Sequence, residues 1–171
     1  MDDDVTGSSD TNTSPLPRAC QVVADAAIAA GVTIDIKVLG QSSRTAEEAA
    51  DACGTTVGQI VKSLVFAGKD SGKPVLLLVS GANRVKEGLV GRAIGEKIVR
   101  PDADFVRDKT GFAIGGIPPF GHAEKLATYI DEDLMAFDTV WAAAGTPNSV
   151  FEIKPGDLAR ACGATTIAVH D

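Results

Sequence analysis

Apolar residues spaced three or four positions apart predict a helix near the start of the chain, over residues 18–30. Cys20, Val23, Ala27 and Ala30 would share one face of this helix, and Gly31 would end it. Similar patterns predict further helices over residues 45–53, 85–94, 102–108 and 155–162. The helix at 45–53 opens with Thr45-Ala46-Glu47-Glu48, which matches a capping box.

Alternating apolar and polar residues predict a half-buried strand over 33–38, and two apolar runs predict strands over 60–67 and 74–80. The segment 68–73 between those two runs is typical of a hairpin, so part of the sheet is expected to be antiparallel. Shorter strands are predicted over residues 97–100, 126–130, 139–144, 150–153 and 165–169. Strands and helices interleaved in this way predict a single compact α/β (α+β) domain, with a mixed, mostly antiparallel sheet packed with helices.

Composition divides the chain into a tail and a domain. Residues 1–17 are rich in Asp, Ser, Thr and Pro and hold little that could be buried. A disordered tail is therefore predicted there, and the domain over residues 18–171. Hydrophobic residues make up 44% of the chain and charged residues 23%, which are ordinary values for a soluble domain. The formal net charge of −7 counts weakly against an RNA partner and gives no sign of DNA binding.

Cysteine, histidine and hydropathy patterns exclude several functional classes. The 3 cysteines and 2 histidines are widely spaced, without a CxxC pair or a zinc-ligand pattern, so no metal or other cofactor is predicted. No apolar run approaches the roughly 18 residues of a membrane span. The opening Met-Asp-Asp-Asp lacks the basic and apolar segments of a signal peptide. The expectation is a cytoplasmic protein with reduced thiols and no membrane partner.

A loop rich in glycine and proline is the strongest candidate for chemistry. It reads Gly115-Gly116-Ile117-Pro118-Pro119-Phe120-Gly121, is called the Gly/Pro loop below, and is followed by His122. Glycine lets a backbone come close to a ligand, and proline stiffens the chain and removes N–H donors. The amides that remain point in set directions, which suits a carbonyl or phosphate oxygen. The alternative is a tight connection built from ordinary turn residues.

Lys62 is the second candidate, because it lies inside an apolar strand. At the strand period, Ile60, Lys62, Leu64 and Phe66 share one face. An ammonium group there is costly to bury unless it has a partner or lines a pocket that a ligand fills. The alternative is an edge strand from which Lys62 reaches solvent.

Other residues are weaker candidates. Gly145 could form a second edge of the same site, although a hairpin turn is the favoured interpretation. His122 could exchange a proton near neutral pH, whereas a lone histidine beside a turn is more often a surface or capping residue. Ser80 and Asn83 lie at a strand-to-helix junction, which could face a substrate or simply begin the next helix. The sequence contains no P-loop, GxGxxG, GxSxG or HExxH signature.

Several segments, taken in order, resemble the YbaK family of aminoacyl-tRNA deacylases, which includes the editing domain inserted in bacterial prolyl-tRNA synthetases. These segments are the lysine strand at 61–65, the junction at 79–81, the Gly/Pro loop and the helix start at 155–158. Each segment is a weak signal alone. Their order and spacing over about residues 18–171 make the resemblance fairly specific.

The resemblance implies hydrolysis of the ester that joins a wrong amino acid to a tRNA, foremost on tRNA(Pro)-type substrates. In the family a water attacks, helped by a hydroxyl of the terminal ribose, without a metal, another cofactor or a covalent nucleophile. Lys62 would then orient the acceptor end, and the amides of Gly115, Gly116 and Gly121 would stabilise the oxyanion. The residues expected to bind the substrate are Ser80, Asn83, Ile117, Pro118, Pro119, Phe120, His122 and Gly145.

Two departures from the family pattern leave the amino acid undefined. Pro118 stands where many relatives have serine, and His122 where many have glutamine or another residue. The acidic charge also suggests a synthetase partner that would supply tRNA affinity. One alternative is a non-catalytic module that binds tRNA ends, a nucleotide or a synthetase. Another is an unrelated hydrolase that would cleave small free esters without RNA.

Overall fold

The computed structural model describes residues 16–40 and 45–171, and the predicted tail lies outside this part except for Leu16 and Pro17. The described helices are α1 (Arg18–Ala29), α2 (Ala46–Cys53), α3 (Glu87–Ile94), α4 (Ala103–Thr110) and α5 (Pro155–Cys162). The described strands are β1 (Lys37–Val38), β2 (Val61–Gly68), β3 (Pro74–Ser80), β4 (Ile98–Val99), β5 (Ala127–Asp131), β6 (Val140–Ala143), β7 (Ser149–Ile153) and β8 (Thr165–Ile167). Short 3₁₀ turns occupy Val57–Gln59 and Glu132–Ala136.

The strands form two sheets that meet at one point. The larger sheet has the order β4-β2-β3-β5-β8 and the smaller one the order β1-β7-β6. In the larger sheet, β2 is antiparallel to β3 and to β4, whereas β5 is parallel to β3 and to β8. A single parallel bridge between Ile60 and Trp141 joins the two sheets. This bridge brings the start of β2, and Lys62 with it, beside β6.

The hydrophobic core lies on both faces of the larger sheet, and β3 is buried from Val75 to Ser80. Leu76 and Leu78 face a cluster that also contains α1, α5 and the smaller sheet. Val75, Leu77 and Val79 face a second cluster that includes Val90 of α3. Successive side chains of a strand point to opposite faces, so a strand covered on both sides needs the continuous apolar run that predicted β3.

Most predicted elements are confirmed, including the mixed α/β class, the β2–β3 hairpin and the capping box of α2. The strand predicted over 33–38 is shorter than expected, because only Lys37 and Val38 pair with β7. Ile34 and Ile36 still pack against the core, which explains the alternating pattern without a strand. The division of the strands into two sheets was not predicted. Among the described residues, no helix has the length and apolar content needed to cross a membrane.

The turn between β6 and β7 packs closely on α1 at Gly145. Its φ is 109°, and a Cβ there would lie 2.8 Å from the carbonyl oxygen of Ala19. Gly145→Ala is therefore expected to lower the free energy of unfolding by about 1–3 kcal/mol. In α5, a Cβ at Gly156 would have no atom within 4 Å, so Gly156→Ala should raise that free energy by about 0.4–1 kcal/mol. Urea denaturation measures both, and a Gly145→Ala protein as stable as wild type would contradict the close packing.

Candidate functional site

A cavity of about 280 Å³ lies where the two sheets meet. Its walls come from α2, the start of β2, the beginning of the Gly/Pro loop with the residue before it, and the smaller sheet with the β6–β7 turn. The lining residues are Thr45, Ala46, Ala49, Ile60, Val61, Lys62, Ser63, Leu64, Ile114, Gly115, Ile117, Trp141, Ala142, Ala143, Pro147, Ser149 and Val150. Ligand pockets typically measure about 300–1,000 Å³, so this cavity suits a small group.

Most of the lining is apolar, and two of its four polar side chains are occupied by local contacts. The Thr45 hydroxyl accepts from the amide of Glu48 and caps α2. The Ser149 hydroxyl accepts from the amide of Thr146 in the β6–β7 turn. Lys62 and Ser63 are the remaining polar lining residues, and they are consecutive residues of β2.

Ser63 carries a buried hydroxyl that has no hydrogen-bond partner among the described residues. Leaving a buried polar group unpaired costs about 1–3 kcal/mol, so such a group is uncommon unless something else binds it. The hydroxyl could therefore donate to, or accept from, a ligand that fills the cavity.

Lys62 is half-buried, and its Nζ donates to the backbone oxygen of Asn83 at 2.6 Å. Burial lowers the pKa of Lys62, Arg84 lowers it further, and the carboxylates of Glu47 and Asp131 oppose this shift. At Lys62 the strand pairs only with β3, since β4 meets β2 at Ala67 and Gly68. Lys62 thus lies in a part of β2 that pairs on one side only, and it borders the cavity.

The Gly/Pro loop is a buried element rather than a surface turn. Ile117 and Phe120 are 5% and 7% exposed, and the Phe120 ring packs on Phe151 at 5.6 Å between centroids. The Gly116 amide donates to the oxygen of Ala113 at 3.1 Å, which closes a turn just before the prolines. Two anchored apolar side chains and this turn fix where Gly115 meets the cavity.

Two side chains hold the prolyl carbonyls of the loop. His122 Nε2 lies 2.7 Å from the oxygen of Pro118, and the Cys162 thiol donates to the oxygen of Pro119 at 3.2 Å. Burial lowers the pKa of His122, so the ring is neutral at pH 7 and donates through Nε2. Burial also raises the pKa of the Cys162 thiol to about 12, which keeps it protonated. A protonated thiol is a poor nucleophile, so Cys162 supports the loop instead.

The structure brings only part of the predicted site together. Lys62, Gly115 and Ile117 line the cavity. Pro118, Pro119 and Phe120 are buried in the body of the loop, outside the lining, and His122 stands behind them as a support. These four residues therefore shape the site indirectly.

The other predicted residues make different contacts. A Cβ at Gly116 would lie 2.8 Å from backbone atoms of Thr146, and Gly121 packs against α1. Gly121 lines a second cavity of about 330 Å³ beside α1. The Ser80 hydroxyl donates to the oxygen of Gly58, and the Asn83 side chain donates to Asp131 and Asp133. Neither Ser80 nor Asn83 lines the 280 Å³ cavity.

Sequence reasoning missed several walls of the cavity. Helix α2 was predicted from its capping box but carried no functional signal, and Ser63, Trp141 and Pro147 were not considered. Trp141 had one available signal, because it is the chain's single tryptophan and lies in a short apolar strand. Lys37 Nζ lies 5.2 Å from the centroid of the Trp141 ring, a cation–π contact. Across 16–40 and 45–171, no group of His, Cys, Asp and Glu could hold a metal ion.

Comparisons with known proteins find similar sequences and similar structures. Residues 41–161 match the family model of the aminoacyl-tRNA editing domain. An uncharacterised protein of Bacillus subtilis strain 168, YwhH, is 33% identical over 126 residues, which span 74% of this chain and 80% of that protein. A proline–tRNA ligase of Limosilactobacillus fermentum is 31% identical over 96 residues, 54% of this chain but 17% of the ligase.

A solved structure shows the same fold over nearly the whole chain. It is described as "a putative trans-editing enzyme for prolyl tRNA synthetase" and is 42% identical, with a TM-score of 0.87. The match covers 92% of this chain and 99% of that one.

His122 is expected to make stability depend on pH. Its pKa is lowered in the folded protein, so the unfolded chain binds the proton more readily below the ordinary value of about 6.5. The stability that the neutral ring contributes is complete above about pH 6.5 and is lost as the pH falls toward the folded pKa. His122→Gln keeps a neutral N–H donor that does not titrate. It should reduce the drop in melting temperature between about pH 7 and about pH 5.

His170 provides a control of opposite sign. Its hydrogen bond to Asp133, 2.9 Å long, raises the pKa of His170, so its contribution is present at low pH and is lost as the pH rises. His170→Gln should therefore make the acid-side drop in melting temperature steeper. An acid-side drop that is unchanged in His122→Gln would contradict the proposed role of the buried ring.

Proposed function

The chain belongs to the aminoacyl-tRNA editing domain family, and from this premise we propose that it is a deacylase that hydrolyses mischarged aminoacyl-tRNA in trans. One observation carries the proposal: a small, largely apolar cavity has Lys62 and Gly115 on its walls. The cation and the backbone amide are the groups expected to hold an aminoacyl ester, and the apolar walls surround the place of its side chain.

The proposed substrate is a tRNA carrying a small amino acid, with tRNA(Pro)-type substrates foremost. The cavity volume of about 280 Å³ supports a small aminoacyl group. Similarity to a proline–tRNA ligase and to a structure described as a trans-editing enzyme for prolyl-tRNA synthetase supports the tRNA type. A separate editing site has a physical reason. One methylene changes binding in an apolar pocket by only about 1–3 kcal/mol, too little for accurate selection by one site.

The proposed reaction is addition of water to the ester carbonyl, followed by cleavage of the bond to the ribose oxygen. The proton that water loses ends on that ribose oxygen, and the neighbouring ribose hydroxyl assists the transfer. The products are the free amino acid and an uncharged tRNA, so no oxidant, metal or covalent enzyme intermediate enters the balance.

Of the three glycines predicted to stabilise the oxyanion, Gly115 is the best placed, because it alone lines the cavity. Its amide has no acceptor among the described residues, whereas the Gly116 amide already donates to Ala113. Gly121 borders the second cavity instead. The oxyanion role predicted for three glycines therefore narrows to Gly115 in this proposal.

Lys62 is proposed to orient the acceptor end by holding a phosphate or ribose oxygen. Its ammonium donates to the neutral oxygen of Asn83 and forms no ion pair with a described carboxylate. An ammonium has three N–H donors, so Lys62 can keep this contact and also donate to an anionic oxygen of the substrate. Lys62 need not act as a base.

Lys62→Ala is expected to lower the kcat of deacylation by about a hundredfold or more, since it removes a preorganised positive group from the site. The measurement uses a panel of mischarged tRNAs, starting with tRNA(Pro) that carries Ala or Cys. Lys69→Ala serves as the matched control, because Lys69 is exposed in the hairpin turn at the other end of β2. It should clear the same species at the wild-type rate.

Other outcomes identify the alternatives. Wild-type protein that binds tRNA but leaves the whole panel intact would indicate a non-catalytic binding module. Cleavage of free amino acid esters without any RNA would indicate an unrelated ester hydrolase. Equal clearance by wild type and Lys62→Ala would contradict the role proposed for the lysine.

A further inference from the structure

A buried carboxylate lies behind the turn that holds Lys62. Asp131, the last residue of β5, is 1% exposed and forms no ion pair among the described residues. Burying an unpaired carboxylate is costly, so its oxygens need several N–H donors. The amide of Ser80 and the side-chain amide of Asn83 donate to Oδ2 at 3.1 and 2.7 Å, and the amide of Asp133 donates to Oδ1 at 2.9 Å.

Two of these donors belong to the turn between β3 and α3. Within this turn the Asn83 amide donates to the oxygen of Ser80 at 2.9 Å. The second N–H of the Asn83 side chain donates to Asp133 Oδ2 at 2.8 Å, so both protons of that amide are used. The parallel pairing of β5 with β3, which places Ile130 opposite Leu78, fixes the carboxylates relative to the turn. Asp131 thus determines where the backbone of Asn83 lies.

The backbone oxygen of Asn83 is in turn the acceptor for Lys62. The 2.6 Å contact with Nζ is the one hydrogen bond that Lys62 makes with its side chain in the described part of the chain. A displacement of this carbonyl would therefore displace the ammonium at the cavity wall. Glu47 of α2, Arg84 and Asp131 are the charged groups that act on Lys62, and Asp133 and His170 extend the same network outward.

We propose that Asp131 is a positioning residue for the reaction: acting through the Asn83 turn, it holds Lys62 at the cavity wall. The expected effect of Asp131 on the reaction rate rests on the proposed function. Its expected effect on the position of Lys62 does not. It also gives Asn83 a role in orienting Lys62, in place of the direct substrate contact that the sequence suggested.

Asp131→Asn tests the proposal, because it removes the charge and one acceptor while keeping the shape of the side chain. The expected result is a folded protein whose deacylation kcat is about ten- to a hundredfold lower, as small misplacements of catalytic groups produce. Asp102→Asn is the matched control, since Asp102 caps α4 and does not line the cavity, and asparagine caps equally well. It should keep the wild-type rate.

The pKa of Lys62 provides a measurement that does not depend on catalysis. NMR titration of the full chain with ¹³C-methylated lysines reports it, with Lys62→Arg used to assign the signal. Loss of the Asp131 charge should lower the pKa of Lys62. Because the proposed role needs a charged Lys62, the loss of deacylation activity at alkaline pH should then begin at a lower pH. If the wild type clears no substrate at all, the proposed function fails, and this titration still decides whether Asp131 acts on Lys62.

Asn83→Ala covers the case in which Asp131→Asn does not fold, as melting temperatures would show. This variant keeps the backbone oxygen that Lys62 uses and removes only the anchor that holds it. The same fall in rate is expected, and the pKa of Lys62 should differ from the wild-type value because the acceptor of its ammonium is no longer held in place. A folded Asp131→Asn or Asn83→Ala protein in which Lys62 titrates as in wild type would overturn the proposal.

Discussion

The arrangement of the site depends on how a buried loop satisfies its own carbonyl groups. Buried backbone oxygens require donors, and the two prolines of the Gly/Pro loop bring acceptors but no N–H groups. The His122 ring and the Cys162 thiol supply donors to Pro118 and Pro119 from the residue after the loop and from α5. Losing either donor would leave a buried carbonyl oxygen unpaired, which costs about 1–3 kcal/mol and would loosen the loop that places Gly115 at the cavity.

Close backbone packing completes the wall. A Cβ at Gly116 would fall 2.8 Å from backbone atoms of Thr146, so only glycine allows the loop to contact the β6–β7 turn. That turn contributes Pro147 to the cavity, and the strand after it contributes Ser149. The loop and the smaller sheet therefore form one rigid side of the cavity. The other side comes from the start of β2, where the ammonium of Lys62 donates to the backbone oxygen of Asn83. A fixed amide and a positioned cation on the walls of one cavity suit an ester that must be oriented before water attacks.

The sequence predicted local structure well and the site only in part. The capping of α2 by Thr45, the hairpin at 68–73 and the helix over 155–162 each depend on residues close together in the chain, so the sequence predicts them directly. Lys62 and the loop could be singled out because their residue types are unusual for a buried strand and a simple turn. The shared cavity could not be predicted, because it requires the Ile60–Trp141 bridge between residues far apart in the chain.

The same limit explains why some residues were assigned other roles. His122 stood beside a functional loop in the sequence, but its ring turns back to Pro118 and away from the cavity. Asn83 lay at a junction that could have faced a substrate, yet its amide is held by carboxylates from the neighbouring strand end. Side-chain direction depends on tertiary partners that a residue pattern does not contain. Ser63 escaped notice for the same reason, since a serine in a strand gives no sign that its hydroxyl lacks a partner.

If the 280 Å³ cavity receives the aminoacyl group, its binding should change the environment of Trp141. Trp141 is the chain's single tryptophan and lines this cavity. The measurement is a titration of Trp141 fluorescence with an alanyl-adenosine analogue that has an amide in place of the ester. It is combined with NMR mapping of backbone amides. A saturable change in Trp141 emission is expected, with amide shifts centred on Lys62, Ser63 and Gly115. Binding that leaves Trp141 unchanged and shifts Val22, Phe112 and Gly121 at the second cavity would contradict it.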